Sequence, residues 1–333
     1  MSGKKETKAT KVICGTAGIQ SVYESVDRPK NFMQQFEKQM NIRILNSTNE
    51  EVQFEISGID AALANTFRRV LLSETPTMAF EKVFIKNNTS IMQDEVLAHR
   101  LGLLPILVDP DEFEYVGEDG HTHEDNTLVF KLQIKCTEED MQNVEVDVLR
   151  ENATAHKVVY SRAVKWQDKG DQKKKFAGNP PRMVHDNIVV NKLRPNQEID
   201  VVLHAHKGVG KTHAKFSPVS TAYYRMMPFV NILKPITGAD AKALRDLCPT
   251  IFEVDKTGTL LVAHPENCTH HPECFRDRRW ADKIELGRIR DRFIFSIEST
   301  GIMPAAEIFR RALSVFAEKC RGIKSSLEGL SKE

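Results

Sequence analysis

The carboxyl-terminal part of the chain carries apolar residues at alternating intervals of four and three, the heptad spacing of a helix that packs along another helix. These positions, here called the C-terminal seam, are Phe309, Leu313, Phe316, Cys320, Ile323 and Leu327. Pro304 precedes them, and proline is favoured at the first position of a helix. The sequence therefore predicts a long helix whose seam packs against another protein or against the chain's own sheet.

A second helix is predicted over residues 60–72, because Asp60 is a good helix cap and Pro76 prevents any continuation. One side of this helix is an apolar stripe formed by Leu63, Phe67, Val70 and Leu71. The opposite side carries small, polar and apolar residues at helical spacing, namely Ala61, Asn65, Arg68 and Leu72. A surface helix of a monomer needs only one apolar stripe. Two such faces are typical of a helix at an interface, although both helices can instead cover the chain's own sheet.

Magnitudes help to distinguish these two alternatives. Each fully buried leucine or phenylalanine contributes roughly 1.5–3 kcal/mol, so six seam residues supply on the order of 10 kcal/mol. Association itself costs about 4–15 kcal/mol. The seam alone therefore predicts a weak dimer, and the seam together with the helix at residues 60–72 predicts a strong one.

The rest of the chain is mostly strand-like. Apolar residues alternate with polar ones at 42–44 and 52–56, around a turn at 46–49, and again at 128–134, 144–148, 199–203 and 293–297. A short helix is predicted at 94–101, ended by Gly102, and residues 169–182 read as a polar loop. Residues 1–11 are polar and rich in lysine, which predicts a disordered tail.

Composition excludes several classes of protein. Lysine and arginine number 47 against 46 acidic residues, a net charge of +1. Binding to nucleic acid depends mainly on phosphate contacts, so this balance gives it no support, although a local basic patch stays open. No apolar run approaches the roughly 20 residues that span a bilayer. The six cysteines are too scattered for a disulfide framework, which favours a reducing compartment.

One motif imitates a phosphate-binding loop. Gly208, Gly210, Lys211 and Thr212 follow a predicted strand, but the loop also requires a glycine where Ala205 stands. A helix should follow so that its N-terminus faces the phosphate, and the sequence there instead leads to a proline. We therefore reject a nucleotide site.

Metal sites are equally weak candidates. The best group consists of His264, Cys268, His270, His271 and Cys274. Structural zinc sites usually use closely spaced ligand pairs, and the two cysteines here are too far apart to form one. The group is therefore interpreted as a histidine-rich surface loop without a metal, with zinc as the open alternative. The acidic residues at 109–112 are interpreted as a solvated turn. The histidines and acidic residues at 121–125 have the chemistry to hold a metal, but they are interpreted as an exposed loop.

Four long strings in the chain resemble signature segments of the α-like subunits of multi-subunit RNA polymerases. They are GIDAALANTFRRVLLSETPT at 58–77, QDEVLAHRLGLLPI at 93–106, GKTHAKFSPV at 210–219 and FSIESTG at 295–301. The strings fall in the order found in the family, and the resemblance covers about residues 12–319.

Within this family the chain most resembles the larger α-like subunits shared by RNA polymerases I and III. The string at 213–219, followed by Tyr223, Tyr224 and Arg225, fits that branch best. The third-largest subunit of RNA polymerase II carries a cysteine quartet that residues 106–135 of this chain lack. The archaeal counterpart has a ferredoxin-like insertion, and residues 238–285 are similar to a metal-free remnant of it.

The resemblance implies an α+β fold with a discontinuous dimerisation domain at 40–76 and 218–333. A β-rich domain at 77–217 is inserted into it, and residues 1–39 form an N-terminal tail and extension. The smaller α-like subunit would pack against Leu63, Phe67, Val70, Leu71, Phe309, Leu313, Phe316 and Cys320. The second-largest polymerase subunit would contact Asn65, Arg68, Arg69, Lys211, His213 and Lys215, and small zinc-binding subunits would adjoin the loop at 211–219.

The implied function is that of a non-catalytic assembly subunit of RNA polymerases I and III. Such a subunit has no catalytic residues and no cofactor, binds no nucleic acid sequence-specifically, and does not associate with membranes. It would lie in the nucleus, in both nucleolus and nucleoplasm, and support transcription of ribosomal, transfer and other small RNA genes. The alternative is the corresponding subunit of RNA polymerase II or of an archaeal polymerase.

Overall fold

A computed structural model describes residues 5–15, 18–27, 32–139, 156–270, 277, 279–280 and 282–330. The helices are α1 (Phe32–Gln39), α2 (Ala61–Ser73), α3 (Asp94–Gly102), α4 (Gln172–Lys175), α5 (Gly238–Leu247) and α6 (Ala305–Leu330). The first eight strands are β1 (Lys5–Gly15), β2 (Gly18–Asp27), β3 (Asn41–Ser47), β4 (Glu51–Ser57), β5 (Pro76–Asn88), β6 (Ile106–Leu107), β7 (Thr127–Lys135) and β8 (Lys157–Tyr160). The remaining strands are β9 (Lys165–Gln167), β10 (Arg182–Met183), β11 (Val189–Leu193), β12 (Glu198–Val209), β13 (Val219–Ile232), β14 (Phe252–Val254), β15 (Leu260–Val262) and β16 (Ile284–Ser299). Within these described residues, no helix is both long enough and apolar enough to cross a membrane.

The chain divides into two compact units, each containing helices and strands, which confirms the predicted α+β class. The first unit comprises Met1–Ser47, Val52–Thr66 and Tyr223–Ser296. The second comprises Thr48–Glu51, Phe67–Ala222 and Ile297–Glu333. This division differs from the predicted domain boundaries, which stay a prediction.

A six-stranded sheet contains most of the strands of the first unit. Its order is β2-β1-β16-β4-β3, and β13 also pairs with β16. The predicted strands at 42–44, 52–56 and 293–297 are confirmed as parts of β3, β4 and β16. Phe54 on β4 stacks against Phe295 on β16 with ring centroids 5.4 Å apart, and both side chains are buried. The alternation of apolar residues predicted these strands because it places one side of each in the core.

The prediction of a disordered tail at residues 1–11 was wrong from Lys5 onward. Residues 5–15 form β1, which pairs with β2 and, from Lys11 to Cys14, with β16. Backbone hydrogen bonds form in a ladder regardless of how polar the side chains are, so a lysine-rich composition does not exclude a strand. Gly287 on β16 is required for this pairing, because a Cβ there would lie 2.3 Å from the carbonyl oxygen of Val12.

The second unit is built around an antiparallel sheet in the order β5-β12-β7-β9. The predicted strands at 128–134 and 199–203 and the helix at 94–101 are confirmed by β7, β12 and α3. The predicted strand at 144–148 lies outside the described residues. Phe80 and Phe130 are buried at the centre of the core, with rings 5.3 Å apart in an edge-to-face arrangement.

The segment predicted as a polar loop at 169–182 is more ordered than its composition indicated. It contains α4, and the side chain of Gln172 is buried. The Gln172 amide donates hydrogen bonds to the carbonyl oxygens of Glu124 (2.6 Å) and Thr127 (2.9 Å). A polar side chain can be buried in this way because its partners replace water.

Residues around 238–285, predicted as a ferredoxin-like remnant, contain α5 and the β14–β15 hairpin. They enclose a small core of their own that includes Leu244, Phe252 and Trp280. The ferredoxin-like origin stays a prediction.

Candidate dimerisation surface

Helix α2 begins where the sequence predicted. The side chain of Asp60 accepts a hydrogen bond of 2.9 Å from the backbone N–H of Leu63, which caps the first turn. Leu63 and Phe67 are half-buried, whereas Val70 and Leu71 are only 2% and 0% exposed. Val70 and Leu71 therefore belong to the protein's own core, and of the four predicted contact residues on α2 only Leu63 and Phe67 offer surface.

The C-terminal seam divides into two halves along α6. The first half, Phe309, Leu313 and Phe316, is half-buried, whereas Cys320, Ile323 and Leu327 are exposed. Ile323 and Leu327 are 63% and 61% exposed. The residues of α6 that are buried are Ala305, Ile308 and Ala312. Helix α6 thus uses one stripe to pack against its own chain and leaves its distal seam uncovered.

Phe67 links α2 to α6 within the second unit. Its ring makes edge-to-face contacts with Phe309, at 6.1 Å between centroids, and with Phe316, at 6.0 Å. Such aromatic pairs contribute about 0.5–1.5 kcal/mol beyond the area that they bury. The two helices predicted to form an interface therefore meet through one half-buried aromatic cluster.

Two sets of ion pairs also hold α6. Lys319 lies 2.6 Å from a carboxylate oxygen of Glu74, just past the end of α2. Arg311 contacts Glu307 at 2.9 Å, Asp109 at 3.0 Å and Asp111 at 3.3 Å, and its side chain is only 15% exposed. The acidic residues at 109–112, interpreted from the sequence as a solvated turn, therefore bind the C-terminal helix.

The pKa shifts of Asp109 and Arg311 are consistent with these ion pairs. Burial alone would raise the pKa of Asp109, but hydrogen bonds from Arg311 and from the backbone of Asp111 outweigh it and lower that pKa. The pKa of the Arg311 guanidinium is raised, because Asp109 and Glu307 together overcome the opposing effect of its burial. Sequence reasoning missed Arg311, although its spacing of four from Glu307 was a visible signal for a helical ion pair.

The residues predicted to contact a large subunit differ in accessibility. Arg69, Lys211 and His213 are exposed, and Asn65 and Arg68 are half-buried. Lys215 does not fit the prediction well. Its ammonium lies 2.6 Å from Glu81 and its side chain is only 13% exposed, so its charge is already paired within the chain.

The motif that imitates a phosphate-binding loop has a structural explanation. The backbone N–H of Lys211 donates a hydrogen bond of 2.7 Å to the carbonyl oxygen of Ser73 at the end of α2. A Cβ at Gly210 would lie 2.1 Å from the carbonyl oxygen of Leu72. Gly210 therefore lets the loop approach the end of α2.

The histidine and cysteine group is only partly described, because His271 and Cys274 lie outside the described residues. His264 contacts Glu266 at 3.2 Å, and a ring nitrogen of His270 lies 2.9 Å from the carbonyl oxygen of Gly287. Burial raises the pKa of the Cys268 thiol. Over the described ranges, no three His, Cys, Asp or Glu side chains are grouped so that they can hold a metal ion.

Comparison with known proteins supports the predicted family. Residues 53–320 match the family described as the RNA polymerase Rpb3/Rpb11 dimerisation domain. The chain is 40% identical to DNA-directed RNA polymerases I and III subunit RPAC1 of Mus musculus, over 98% of each chain. It is 38% identical to the Saccharomyces cerevisiae protein of the same name, over 88% of this chain and 89% of that one.

Relatives named for other polymerases match less well. DNA-directed RNA polymerase II subunit rpb3 of Dictyostelium discoideum is 29% identical, over 89% of this chain and 98% of its own. The predicted resemblance to the branch shared by RNA polymerases I and III is therefore confirmed. The chain belongs to the family of RNA polymerase subunits that contain the Rpb3/Rpb11 dimerisation domain.

Proposed function

We propose that this protein is a non-catalytic assembly subunit of RNA polymerases I and III that forms a heterodimer with the smaller α-like subunit. The observation that carries this proposal is the exposed distal seam of α6, where Cys320, Ile323 and Leu327 lie in solvent at heptad spacing. A partner helix covers this seam and continues onto Phe67, Phe309 and Phe316.

The magnitudes are consistent with a stable complex. Burial of Ile323 and Leu327 contributes roughly 1.5–3 kcal/mol for each side chain. The half-buried aromatic cluster and Leu313 add further apolar area on the same helix. Ion pairs with Glu74 and Asp109 already hold α6 in the free chain. Less conformational entropy is therefore lost when the partner binds, which lowers the free-energy cost of association.

Contacts with other polymerase subunits are part of the proposal. Arg69, Lys211 and His213 are exposed and suited to acidic or polar surfaces of the second-largest subunit, with Asn65 and Arg68 at its margin. Small zinc-binding subunits adjoin the loop at 211–219. The chain supplies no active site or cofactor and acts in the nucleus, in the transcription of ribosomal, transfer and other small RNA genes.

The dimerisation step is tested by co-expression with the smaller α-like subunit followed by gel filtration. The double substitution Ile323→Asp and Leu327→Asp changes only side chains that are exposed in the free chain, so it leaves the fold intact. We expect it to abolish the 1:1 complex. Ser325→Asp is the matched control, because position 325 lies on the opposite side of the same helix. A complex unaffected by the double substitution contradicts the proposed interface.

The polymerase class is tested by affinity purification of the tagged protein from nuclei. The proposal predicts that the largest subunits of RNA polymerases I and III are recovered together with it. Recovery of RNA polymerase II subunits alone would instead support the alternative class.

A further inference from the structure

The sheet of the second unit has one face in the core and an opposite face that is open around Phe84, although Val129 and His206 on this second face are buried. Leu203 and Ala205 of β12 are fully buried in the core, so the alternate residues Val202 and His204 lie on the other face. Phe84 on β5, directly opposite Val202, is 49% exposed. Phe84 therefore presents a large aromatic ring to solvent on this face.

The register defines two rows of side chains across this face. One row is Phe84, Val202, Lys131 and Lys165, which lie opposite one another on β5, β12, β7 and β9. The next row places Lys82 beside His204 and Val129. Neighbouring strands are about 4.8 Å apart, so along the first row the backbone of Lys131 lies about 10 Å from that of Phe84 and the backbone of Lys165 about 14 Å from it. Lys82 is directly opposite His204 on the neighbouring strand.

This face is positively charged although the whole chain is nearly neutral. Among the described residues, Lys82 and Lys165 have no carboxylate partner, and Lys131 donates a hydrogen bond to the neutral side chain of Gln133. The nearby acid Glu81 is paired with Lys215 at 2.6 Å. Asp200, two positions before Val202 on the same face, is half-buried.

Two rings lie side by side at the centre of the face, next to polar atoms that are buried beneath its surface. The rings of Phe84 and His204 lie 4.8 Å apart. Nδ1 of His204 and Nε2 of His206 are buried without a hydrogen-bond partner. Burial, reinforced by neighbouring lysines, lowers the pKa of both histidines, so each is neutral near pH 7 and has one N–H donor and one acceptor nitrogen.

We propose that this open face binds single-stranded nucleic acid, with phosphates at the lysines and a base stacked on Phe84. Proteins that bind single strands independently of sequence combine a positive surface with aromatic side chains, because every base has a π-face. In a duplex the base faces are already stacked on one another and cannot reach Phe84. An acidic peptide would use the lysines but would leave the exposed aromatic ring without a role.

The test measures binding of the full-length chain to a fluorescein-labelled oligouridylate of about 15 nucleotides by fluorescence anisotropy. We expect the double substitution Lys82→Glu and Lys165→Glu to weaken binding about tenfold or more, and to reduce the slope of log K against log salt by about 0.7 for each lost phosphate contact. Phe84→Thr, which keeps a strand-forming residue, should also weaken binding about tenfold. Phe84→Tyr keeps the ring and should bind like the wild type.

The matched control is the double substitution Lys242→Glu and Lys256→Glu, which changes the charge equally at exposed lysines of the first unit. Circular dichroism and thermal unfolding verify that each variant is folded. The proposal is overturned if the Lys82 and Lys165 variant binds like the wild type or no worse than the control variant. It is also overturned if polyglutamate binds this face and Phe84→Thr has no effect, because the surface would then take an acidic protein segment. Neither outcome depends on the heterodimer.

Discussion

Nη1 of Arg311 lies 3.0 Å from Oδ1 of Asp109, a contact between residues 202 positions apart in the sequence. Arg311 lies near the beginning of α6. The Asp109 carboxylate accepts a hydrogen bond from the backbone N–H of Asp111 and so caps a short helical turn at Pro110–Glu112. The ion pair therefore attaches the proximal part of α6 to the β-rich part of the second unit. The distal seam lies beyond this attachment, on turns of the helix that are exposed.

Replacement of Arg311 should loosen the beginning of α6. Arg311→Met keeps the length of the side chain but removes the ion pairs with Asp109, Asp111 and Glu307, at a cost of about 1–2 kcal/mol. Hydrogen exchange should show faster opening of the backbone around residues 305–316. Arg310→Met is the control, because Arg310 pairs with the same Glu307 but lies in solvent. Equal exchange in the two variants would show that the contact with Asp109 contributes nothing.

The network also predicts a pH dependence. The hydrogen bond from Arg310, with a further one from Arg311 and against the effect of burial, lowers the pKa of Glu307 from 4.5 to about 2. A group whose pKa is lowered in the folded state stabilises it above the unfolded pKa, and this contribution is lost as the pH falls through the folded pKa. Glu307→Gln should therefore have a lower melting temperature than the wild type at pH 7. The difference should shrink as the pH falls from 4.5 towards 2, and a difference that is independent of pH would contradict the assignment.

The close approach at Gly210 gives a stability prediction. In Gly210→Ala the new Cβ meets the carbonyl oxygen of Leu72 at 2.1 Å, so the loop or the end of α2 has to move. We expect a loss of about 1–3 kcal/mol, measured by denaturant unfolding. Gly178→Ala is the control, because nothing lies within 4 Å of the Cβ it would add. If the two variants are equally stable, Gly210 does not serve this packing role.

Cys320 permits a test of the dimer surface without any substitution. Its thiol is exposed on the distal seam, whereas Cys136, Cys248 and Cys268 are buried. A maleimide reagent should modify Cys320 rapidly in the free chain and much more slowly after the smaller α-like subunit is added. Mass spectrometry of the labelled peptides measures both rates. Unchanged labelling of Cys320 in a complex verified by gel filtration would place the partner elsewhere.

Local signals were enough to predict α2 and α6. The Asp60 cap, the position of Pro304 and the seam spacing each depend on residues within a few turns of one another. They could not show which side of α2 the chain itself would bury. Val70 and Leu71 fit the apolar stripe as well as Phe67 does, but packing within the chain covers them and leaves Phe67 half-exposed.

Contacts between distant segments were beyond the reach of sequence reasoning. The spacing of Glu307 and Arg311 could have indicated a helical pair, but nothing in the sequence identified Asp109 as the third member. Likewise, Lys215 was predicted to contact another subunit, but in the structure its charge is paired with Glu81. The open face around Phe84 was hidden in the same way, since its lysines come from three separate strands.

The pairing of β1 with β16 has a consequence for how the protein is made. Lys11 lies opposite Ile289, so strands from distant parts of the sequence are neighbours in one sheet. During translation the β1–β2 hairpin leaves the ribosome long before β16, its partner strand. Pairing between such distant segments is slow, and strand edges left unpaired during synthesis are prone to aggregation. The first unit can therefore complete its sheet only after β16 has been synthesised, and until then the hairpin needs protection from incorrect partners.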